Sequence, residues 1–245
     1  MNFAEHFRIA TEKEKTEAVA RLVKASTGDF DFYLFAFLGI LMAAMGLILD
    51  TPEVIIGGML IAPVLYPLLS LSLSLVLSDF TLMYRSLRTV AVSFGISIAL
   101  SFIFSLLMGI FADNFELGGQ VIARANPSIL FFLVAFISGL GASYALVHAS
   151  LNEMLPGVAI SVSLVPPLAV VGIALGAGAF DIAGKSFILF LLNAVGIIFA
   201  SLITFSLMDL HSTRKVAASA VRQEEKRLEQ ESEKIEEIKH NHENS

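Results

Sequence analysis

Cysteine is absent from this chain, and charged residues are scarce. The sequence has 245 residues, of which 16% are charged and 56% are hydrophobic. Without cysteine, disulfides and thiolate metal sites are excluded. A soluble domain of ordinary composition is about one quarter charged. The mean hydropathy of +0.79 therefore indicates a chain that resides in a lipid bilayer.

Motifs of several enzyme classes are also missing. There is no GxxxxGK[ST] phosphate loop, no HExxH zinc motif and no GxSxG nucleophile elbow. The net charge of −6 lies mainly in the terminal segments and offers no basic patch for nucleic acid. We therefore expect a protein that is not an enzyme, with no metal, no cofactor and no nucleic-acid partner.

Long apolar runs predict an all-α integral membrane protein with six transmembrane helices. Each run is near the roughly 20 residues that cross the hydrocarbon core of a bilayer, and none alternates like a barrel strand. The segment before the first run lacks the apolar region of a signal peptide. The predicted spans are Phe30–Leu49, Val54–Leu77, Thr89–Phe111, Ser128–Val147, Met154–Ala179 and Phe187–Leu207.

Basic residues predict the orientation of these spans. All Lys and Arg except Arg124 and Lys185 fall in the terminal segments or in the loop after span two. Because Lys and Arg concentrate on the cytoplasmic side, both termini are expected in the cytoplasm. Residues 1–29 are expected to form an amphipathic helix, either on the inner leaflet or in solvent. Residues 211–245 are expected to form a charged helix, either a solvated extension of span six or one strand of a coiled coil through Val221, Leu228 and Ile235.

An internal repeat emerges when the chain is aligned with itself at an offset of 100 residues. Residues 30–110 then align with residues 130–210. Because each half holds three spans, the second half would enter the membrane from the opposite side, as in inverted-repeat transporters. The alternative is coincidence among similar apolar helices. The matched pairs are Gly39 with Gly139, Glu53 with Glu153, Gly57 with Gly157, Pro67-Leu68 with Pro167-Leu168, and Phe80 with Phe180.

Proline interrupts spans two and five, which correspond in the two halves. An interior proline removes a backbone donor and clashes with the preceding turn, so both helices are predicted to break. Matched broken helices are typical of a substrate site at the bilayer midplane. Kinks that only shape packing are the alternative. The predicted substrate-binding residues are Gly57, Gly58, Pro63, Pro67, Gly157, Ser161, Ser163, Pro166 and Pro167.

Polar residues within or beside the spans predict a pathway for a polar solute. An acidic residue held inside a membrane is a functional candidate, although Glu53 and Glu153 are also compatible with an interfacial position. Ser93 and Ser97 lie on one face of span three, and Asn193 is the repeat partner of Ser93. Close helix packing is the alternative for the serines and for Gly172 and Gly176.

The two proline-containing segments resemble a known family. The first segment reads Gly58-Met59-Leu60-Ile61-Ala62-Pro63, followed by Pro67 and by Leu77-Ser78-Asp79. The second reads Leu155-Pro156-Gly157-Val158-Ala159-Ile160, followed by Leu164-Val165-Pro166-Pro167-Leu168-Ala169-Val170. Both are similar to the prokaryotic membrane proteins grouped as domain of unknown function 389. The resemblance covers about residues 30–210. It implies an integral protein of a prokaryotic inner membrane, and it supplies neither a substrate nor catalytic residues.

Three functions are compatible with these features. The repeat and the broken helices favour a transporter or channel-like protein for a small solute or ion. A membrane-anchored oligomeric scaffold, acting through the charged C-terminal helix, is the second interpretation, and an intramembrane enzyme is the least favoured. Small-residue faces suit packing within and between subunits, so a homo-oligomer in the lipid bilayer is expected in either of the first two cases.

Overall fold

Every regular element is helical in the part of the chain that the structure describes. This structure, a computed structural model, describes residues 10–111, 117–148, 150–151, 155, 157 and 164–243. The predicted site residues Glu153, Ser161 and Ser163 lie outside that part. The helices are α1 (Glu12–Ala25), α2 (Phe30–Ile48), α3 (Pro52–Ile61), α4 (Leu65–Leu77), α5 (Phe80–Phe111), α6 (Gly119–Ala123), α7 (Ile129–Val147), α8 (Val165–Gly176), α9 (Phe180–Leu207) and α10 (Arg214–Glu243).

Four helices are long and apolar enough to cross a membrane, namely α2, α5, α7 and α9. The pair α3 and α4 passes the same test together but is bent by 49° at the break between its members. Helix α8 is apolar but shorter. The described residues therefore hold four candidate spans, or five when the bent pair counts as one, and the six predicted spans stay a prediction.

The long helices α5 and α9 begin earlier than the sequence analysis predicted. They start at Phe80 and Phe180 rather than at Thr89 and Phe187. Each helix includes charged residues before its apolar part, and the prediction from hydropathy left those residues out. The turns before them are tight and similar. Ser78 has φ 51° and Gly178 has φ 72°, so both turns pass through the left-handed conformation that commonly ends a helix.

The terminal helices pack on one end of the bundle, which we call the tail face. One side of α1 is buried, including Ala18, Val19 and Leu22, and packs against α4, α7 and α10. Helix α10 does not extend α9 in a straight line. Asp209 has φ 54° and a short 3-10 turn follows over Leu210–Thr213, so the chain bends before α10 and returns to α1. We call the opposite end, which carries α6, the loop face.

Close contact between helix backbones positions α3 on α2. A Cβ atom on Gly58 would lie 2.5 Å from the carbonyl oxygen of Gly39 and 2.6 Å from the backbone nitrogen of Ala43. Such distances are shorter than van der Waals contact, and backbone atoms cannot move aside as a flexible side chain can. Gly58 is therefore required for the spacing between α2 and α3.

The neighbouring glycine provides a matched test of this contact. We expect Gly58→Ala to lower the free energy of unfolding by about 1–3 kcal/mol, as overpacking usually does. Gly57→Ala should change it little, because the added Cβ would meet only the side chain of Met42. Thermal unfolding in detergent checks both variants. Equal unfolding midpoints would contradict the packing role of Gly58.

Candidate site at the broken helix

The break between α3 and α4 follows from the sequence Ala62-Pro63. Ala62 precedes a proline and is therefore pushed out of the helical region; its φ of −74° and ψ of 117° are extended. Pro63 has no N–H to continue the hydrogen-bond ladder. Pro67 lies in the first turn of α4, where a backbone donor would have no helical partner in any case. Pro63 thus breaks the helix, and Pro67 is compatible with restarting it.

The break lies midway along α2. A Cβ atom on Gly39, in the middle of α2, would lie 2.7 Å from both the Cβ and the backbone nitrogen of Ala62. The N-terminus of α4 has no side-chain cap. Carbonyl groups at the end of α3 and N–H groups at the start of α4 are therefore left without helical partners inside the apolar part of the bundle.

A pocket extends from this break to the tail face. Its volume is about 460 Å³, and Ile61, Pro63 and Tyr66 line it at the break. At its other end it is lined by charged residues of α1, of the start of α2 and of α10, namely Arg21, Lys24, Asp29, Asp31 and Arg227. The pocket thus joins the exposed backbone of the broken helix to a charged rim.

The predicted substrate-binding residues occupy different positions around this break. Gly57 and Gly58 lie in α3 against α2, and Pro63 lies in the break itself. Gly157 is exposed, and a Cβ atom there would have no described atom within 4 Å. Pro166 and Pro167 lie in the first turn of α8, in the same part of that helix as Pro67 in α4. Of the predicted residues that the structure describes, Pro63 alone lines the pocket, and substrate binding by all of them stays a prediction.

The serines of α5 divide into two groups. Ser93 donates to the carbonyl oxygen of Thr89 at 2.7 Å, one turn earlier, and Ser105 donates to that of Ile173 in α8 at 2.9 Å. The hydroxyls of Ser97 and Ser101, and of Ser201 in α9, are buried and have no hydrogen-bond partner among the described residues. A buried hydroxyl without a partner costs free energy, so these three positions are unusual.

Small residues bring α8 against the same face of α5. A Cβ atom on Gly172 would lie 2.8 Å from the Cβ of Ser101, and one on Gly176 would lie 2.7 Å from the Cβ of Ser105. This favours the packing interpretation for Ser101, Ser105 and both glycines. Ser97 and the buried Asn193 remain candidates for a polar pathway.

The acidic residues near the span ends lie at helix termini. Glu53 is exposed in the first turn of α3, where a carboxylate interacts favourably with the helix dipole. Asp79 accepts hydrogen bonds from the backbone N–H groups of Thr81 and Leu82 at 3.0 Å and caps α5. These positions favour the interfacial interpretation of Glu53.

The loop face carries one partly buried cation. Arg124 donates to the carbonyl and side-chain oxygens of Gln120 at 2.7 and 2.8 Å. Asp50 accepts a hydrogen bond from the backbone N–H of Gln120 at 2.6 Å. Burial lowers the pKa of the Arg124 guanidinium, and the nearby Asp50 carboxylate opposes that change. This arrangement ties α6 to the end of α2.

An ionic network at the tail face was not predicted from the sequence. Arg227 of α10 pairs with Asp29 at the start of α2 and with Glu224 at 3.2 Å. Burial lowers the pKa of Arg227, but the carboxylates, with Asp29 foremost, outweigh it, so the pKa is raised overall. Arg85 of α5 pairs with Glu225 at 3.3 Å and donates to the carbonyl oxygen of Val221 at 2.9 Å. The first half of α10 is thereby attached to the bundle.

No cluster of three or more His, Asp or Glu side chains suited to a metal ion occurs within residues 10–111, 117–148 and 164–243. The site is therefore defined by a broken helix, a pocket and a few buried hydroxyls.

These features define an apolar, all-helical protein with several candidate membrane spans. The family model described as a domain of unknown function (DUF389) matches residues 59–199. The chain is also 31% identical over 204 residues to the uncharacterized protein MJ0678 of Methanocaldococcus jannaschii. This alignment covers 80% of the chain and 62% of that relative. No solved structure matches the chain. The chain belongs to the DUF389 family, as its proline motifs predicted.

Charge reversal tests the attachment of α10. Arg227→Glu should place like charges at Asp29 and weaken the contact by about 1 kcal/mol, allowing for the partial exposure of the pair. Asp29→Arg combined with Arg227→Asp should restore it. Hydrogen–deuterium exchange of Arg214–Arg227 measures the effect, and Arg222→Glu, at an exposed position of the same helix, is the control. If Arg227→Glu and Arg222→Glu accelerate exchange equally, the ion pair between Arg227 and Asp29 does not hold α10 on the bundle.

Proposed function

We propose that this protein is an integral membrane protein built from two three-helix repeats of opposite orientation, and that it carries or conducts a small solute or ion. The observation that carries the proposal is the bent helix pair α3–α4, whose break opens into a pocket that reaches the tail face. A break of this kind exposes backbone dipoles where a polar solute can be coordinated in apolar surroundings. We propose no catalytic step.

The helix boundaries support the repeat. At an offset of 100 residues, α2 corresponds to α7, α4 to α8 and α5 to α9, and the matched helices begin within one residue of the same position. The left-handed turn residues Ser78 and Gly178 also correspond. Correspondence of both the starts and the turns favours a repeat over coincidence among similar apolar helices.

The ends of the matched helices support opposite orientation. Ser86, near the start of α5, bonds to Ser70 at 2.8 Å, close to Arg85, which contacts α10 at the tail face. Its counterpart Ser186, near the start of α9, donates to the carbonyl oxygen of Arg124 at the loop face. Midway, the rings of Phe94 and Phe190 pack edge to face at 4.4 Å. Corresponding helix starts thus lie at opposite ends.

The contacts between halves are reciprocal. Helix α8 packs against α5 of the first half, and its counterpart α4 packs against α9 of the second half. Each short helix therefore lies between α5 and α9, α4 towards the tail face and α8 towards the loop face. In this arrangement a movement of one half relative to the other would alter both of these contacts, as alternating access requires.

The tail face would be cytoplasmic in the inner membrane of a prokaryote. The helices at that face, α1 and α10, carry most of the basic residues, whereas Arg124 and Lys185 lie towards the loop face. The exposed surfaces of α2, α5, α7 and α9 are rich in large apolar side chains, which suits contact with lipid and with further copies of the chain.

A scaffold is the second candidate, and the far half of α10 favours it. Ile235 and Ile238 are more than half exposed and lie beyond the residues that attach α10 to the bundle. An exposed apolar pair on a charged helix suits pairing with another helix, including that of a second copy. In this case the bundle would serve as an anchor.

The absence of cysteine provides a direct test of the repeat orientation. Ser78→Cys and Gly178→Cys place one thiol in each of the corresponding turns, and both positions are exposed. With opposite orientation, a membrane-impermeant maleimide should label Cys at position 78 from the cytoplasmic side and Cys at position 178 from the other side. Labelling of both from the same side would refute the inverted repeat.

Transport is tested by flux into liposomes. Reconstituted protein should raise the flux of at least one solute from a panel of monovalent ions, divalent ions and small organic ions. Ser97→Cys should keep this flux, because a thiol replaces a hydroxyl at an unpartnered position, and a small charged methanethiosulfonate should then abolish most of it.

Ser143→Cys is the matched control for that experiment. Ser143 is equally buried but lies on α7, where it donates to the carbonyl oxygen of Gly139 at 2.5 Å. The reagent should leave its flux unchanged. If no solute in the panel crosses above the background of protein-free liposomes, transport is the wrong function and the scaffold is favoured.

A further inference from the structure

The pocket beneath the broken helix has two chemically different parts. Phe32, Phe35 and Ile61 form part of its wall, and Phe35 and Ile61 are 52% and 37% exposed. On a membrane-spanning bundle these exposed side chains would face lipid. The charged rim begins immediately towards the tail face. The pocket therefore crosses the level at which the apolar surface of α2 ends and the charged surface begins.

The charges of the rim are separated by sign. Arg21 and Lys24 lie on the last turns of α1, on one wall, whereas Asp29 and Asp31 lie at the start of α2, on the other. Arg227 engages Asp29, and it also pairs with Glu224 and Glu231. A ligand with one charge of a single sign would be repelled by one of the two walls.

Three of these groups retain hydrogen-bonding capacity. Arg21 donates to the carbonyl oxygen of Leu146 at 2.8 Å, which leaves its charge unneutralised. Lys24 and Asp31 make no ion pair within the part of the chain that the structure describes, and both are exposed. Two donor cations on α1 thus oppose an unpaired acceptor carboxylate on α2.

We propose that this pocket binds one phospholipid with a zwitterionic headgroup that carries a primary ammonium. The phosphate would accept hydrogen bonds from Arg21 and Lys24, and the ammonium would donate to Asp31. The acyl chains would lie along Phe35 and Ile61, beside the break. This proposal rests on the membrane embedding proposed above and does not depend on transport.

The geometry favours such a lipid over two related ligands. A phosphatidylcholine headgroup has the same charges but no ammonium hydrogen to donate to Asp31. An anionic phosphatidylglycerol headgroup satisfies the cations but leaves the Asp31 carboxylate without a partner. Soluble phosphoethanolamine has the polar groups but no chain to cover the apolar wall, whose burial contributes to binding in proportion to its area.

Native mass spectrometry of the detergent-purified full chain tests the proposal. With phosphatidylethanolamine and phosphatidylcholine of identical chains at equal mole fractions, the wild type should retain one phosphatidylethanolamine in preference by about fivefold, the effect of one hydrogen bond. Asp31→Asn should abolish this preference, and Lys24→Gln should weaken binding of both lipids by a similar factor. Lys24→Arg should restore it.

Two exposed residues outside the pocket are matched controls. Lys13→Gln removes a cation elsewhere on α1, where Lys13 pairs with Glu17, and Asp181→Asn removes a carboxylate at the start of α9, where Asp181 pairs with Lys185. Both should retain the wild-type preference. Equal binding of the two lipids by the wild type, an unchanged preference in Asp31→Asn, or equally strong binding of soluble phosphoethanolamine would each overturn the proposal. If the wild type shows no flux in liposomes but keeps its preference for phosphatidylethanolamine, transport alone is overturned and the lipid site stands.

Discussion

Close approach of helix backbones at small residues is the constraint on which the rest of this structure depends. Apolar helices in lipid gain little from hydrophobic burial against one another, so their association relies on van der Waals contact and on hydrogen bonds between helices. Gly58 lets α3 reach the backbone of α2, and Gly172 lets α8 reach that of α5. These contacts fix the position of each helix along the axis of the bundle. They therefore also fix the level at which a helix is interrupted.

The break at Pro63 acquires its importance from that packing. In an exposed loop, the same Ala62-Pro63 sequence would end a helix and leave its backbone groups to water. Here Gly39 lies halfway along α2 and touches Ala62, so the unpaired groups fall in the middle of the bundle. Backbone groups at this depth need protein, water or a solute as partners. The pocket that opens at the break provides room for the last two.

Local chemistry made much of this arrangement predictable from the sequence. Helices α2 and α7 begin and end within two residues of their predicted spans, and the break falls at the first of the span-two prolines, because apolar length and proline act over short distances. The tail-face network was not predictable, since Arg227 and Asp29 are far apart in the chain. Likewise, α5 and α9 begin in segments that include charged residues such as Arg85 and Lys185, and hydropathy does not register such segments as part of a span.

Differences between the two halves, rather than their likeness, determine the chemistry of the proposed site. The offset of 100 residues pairs Ile61 and Pro63 with Ser161 and Ser163, and pairs Asp29 and Asp31 with Ile129 and Phe131. The first break therefore has apolar neighbours and a charged rim, whereas the matching positions of the second half carry hydroxyl-bearing residues and lack those carboxylates in the sequence. Helix α1, which supplies the cations of the rim, precedes the first repeat. A repeat can set the two backbones in register, but the groups proposed to hold a charged headgroup come from α1 and from a part of α2 whose counterpart lacks the carboxylates. Under the proposed transport function, the sequence thus offers carboxylate and basic groups to a solute at the first break and hydroxyl groups at the matching positions of the second half.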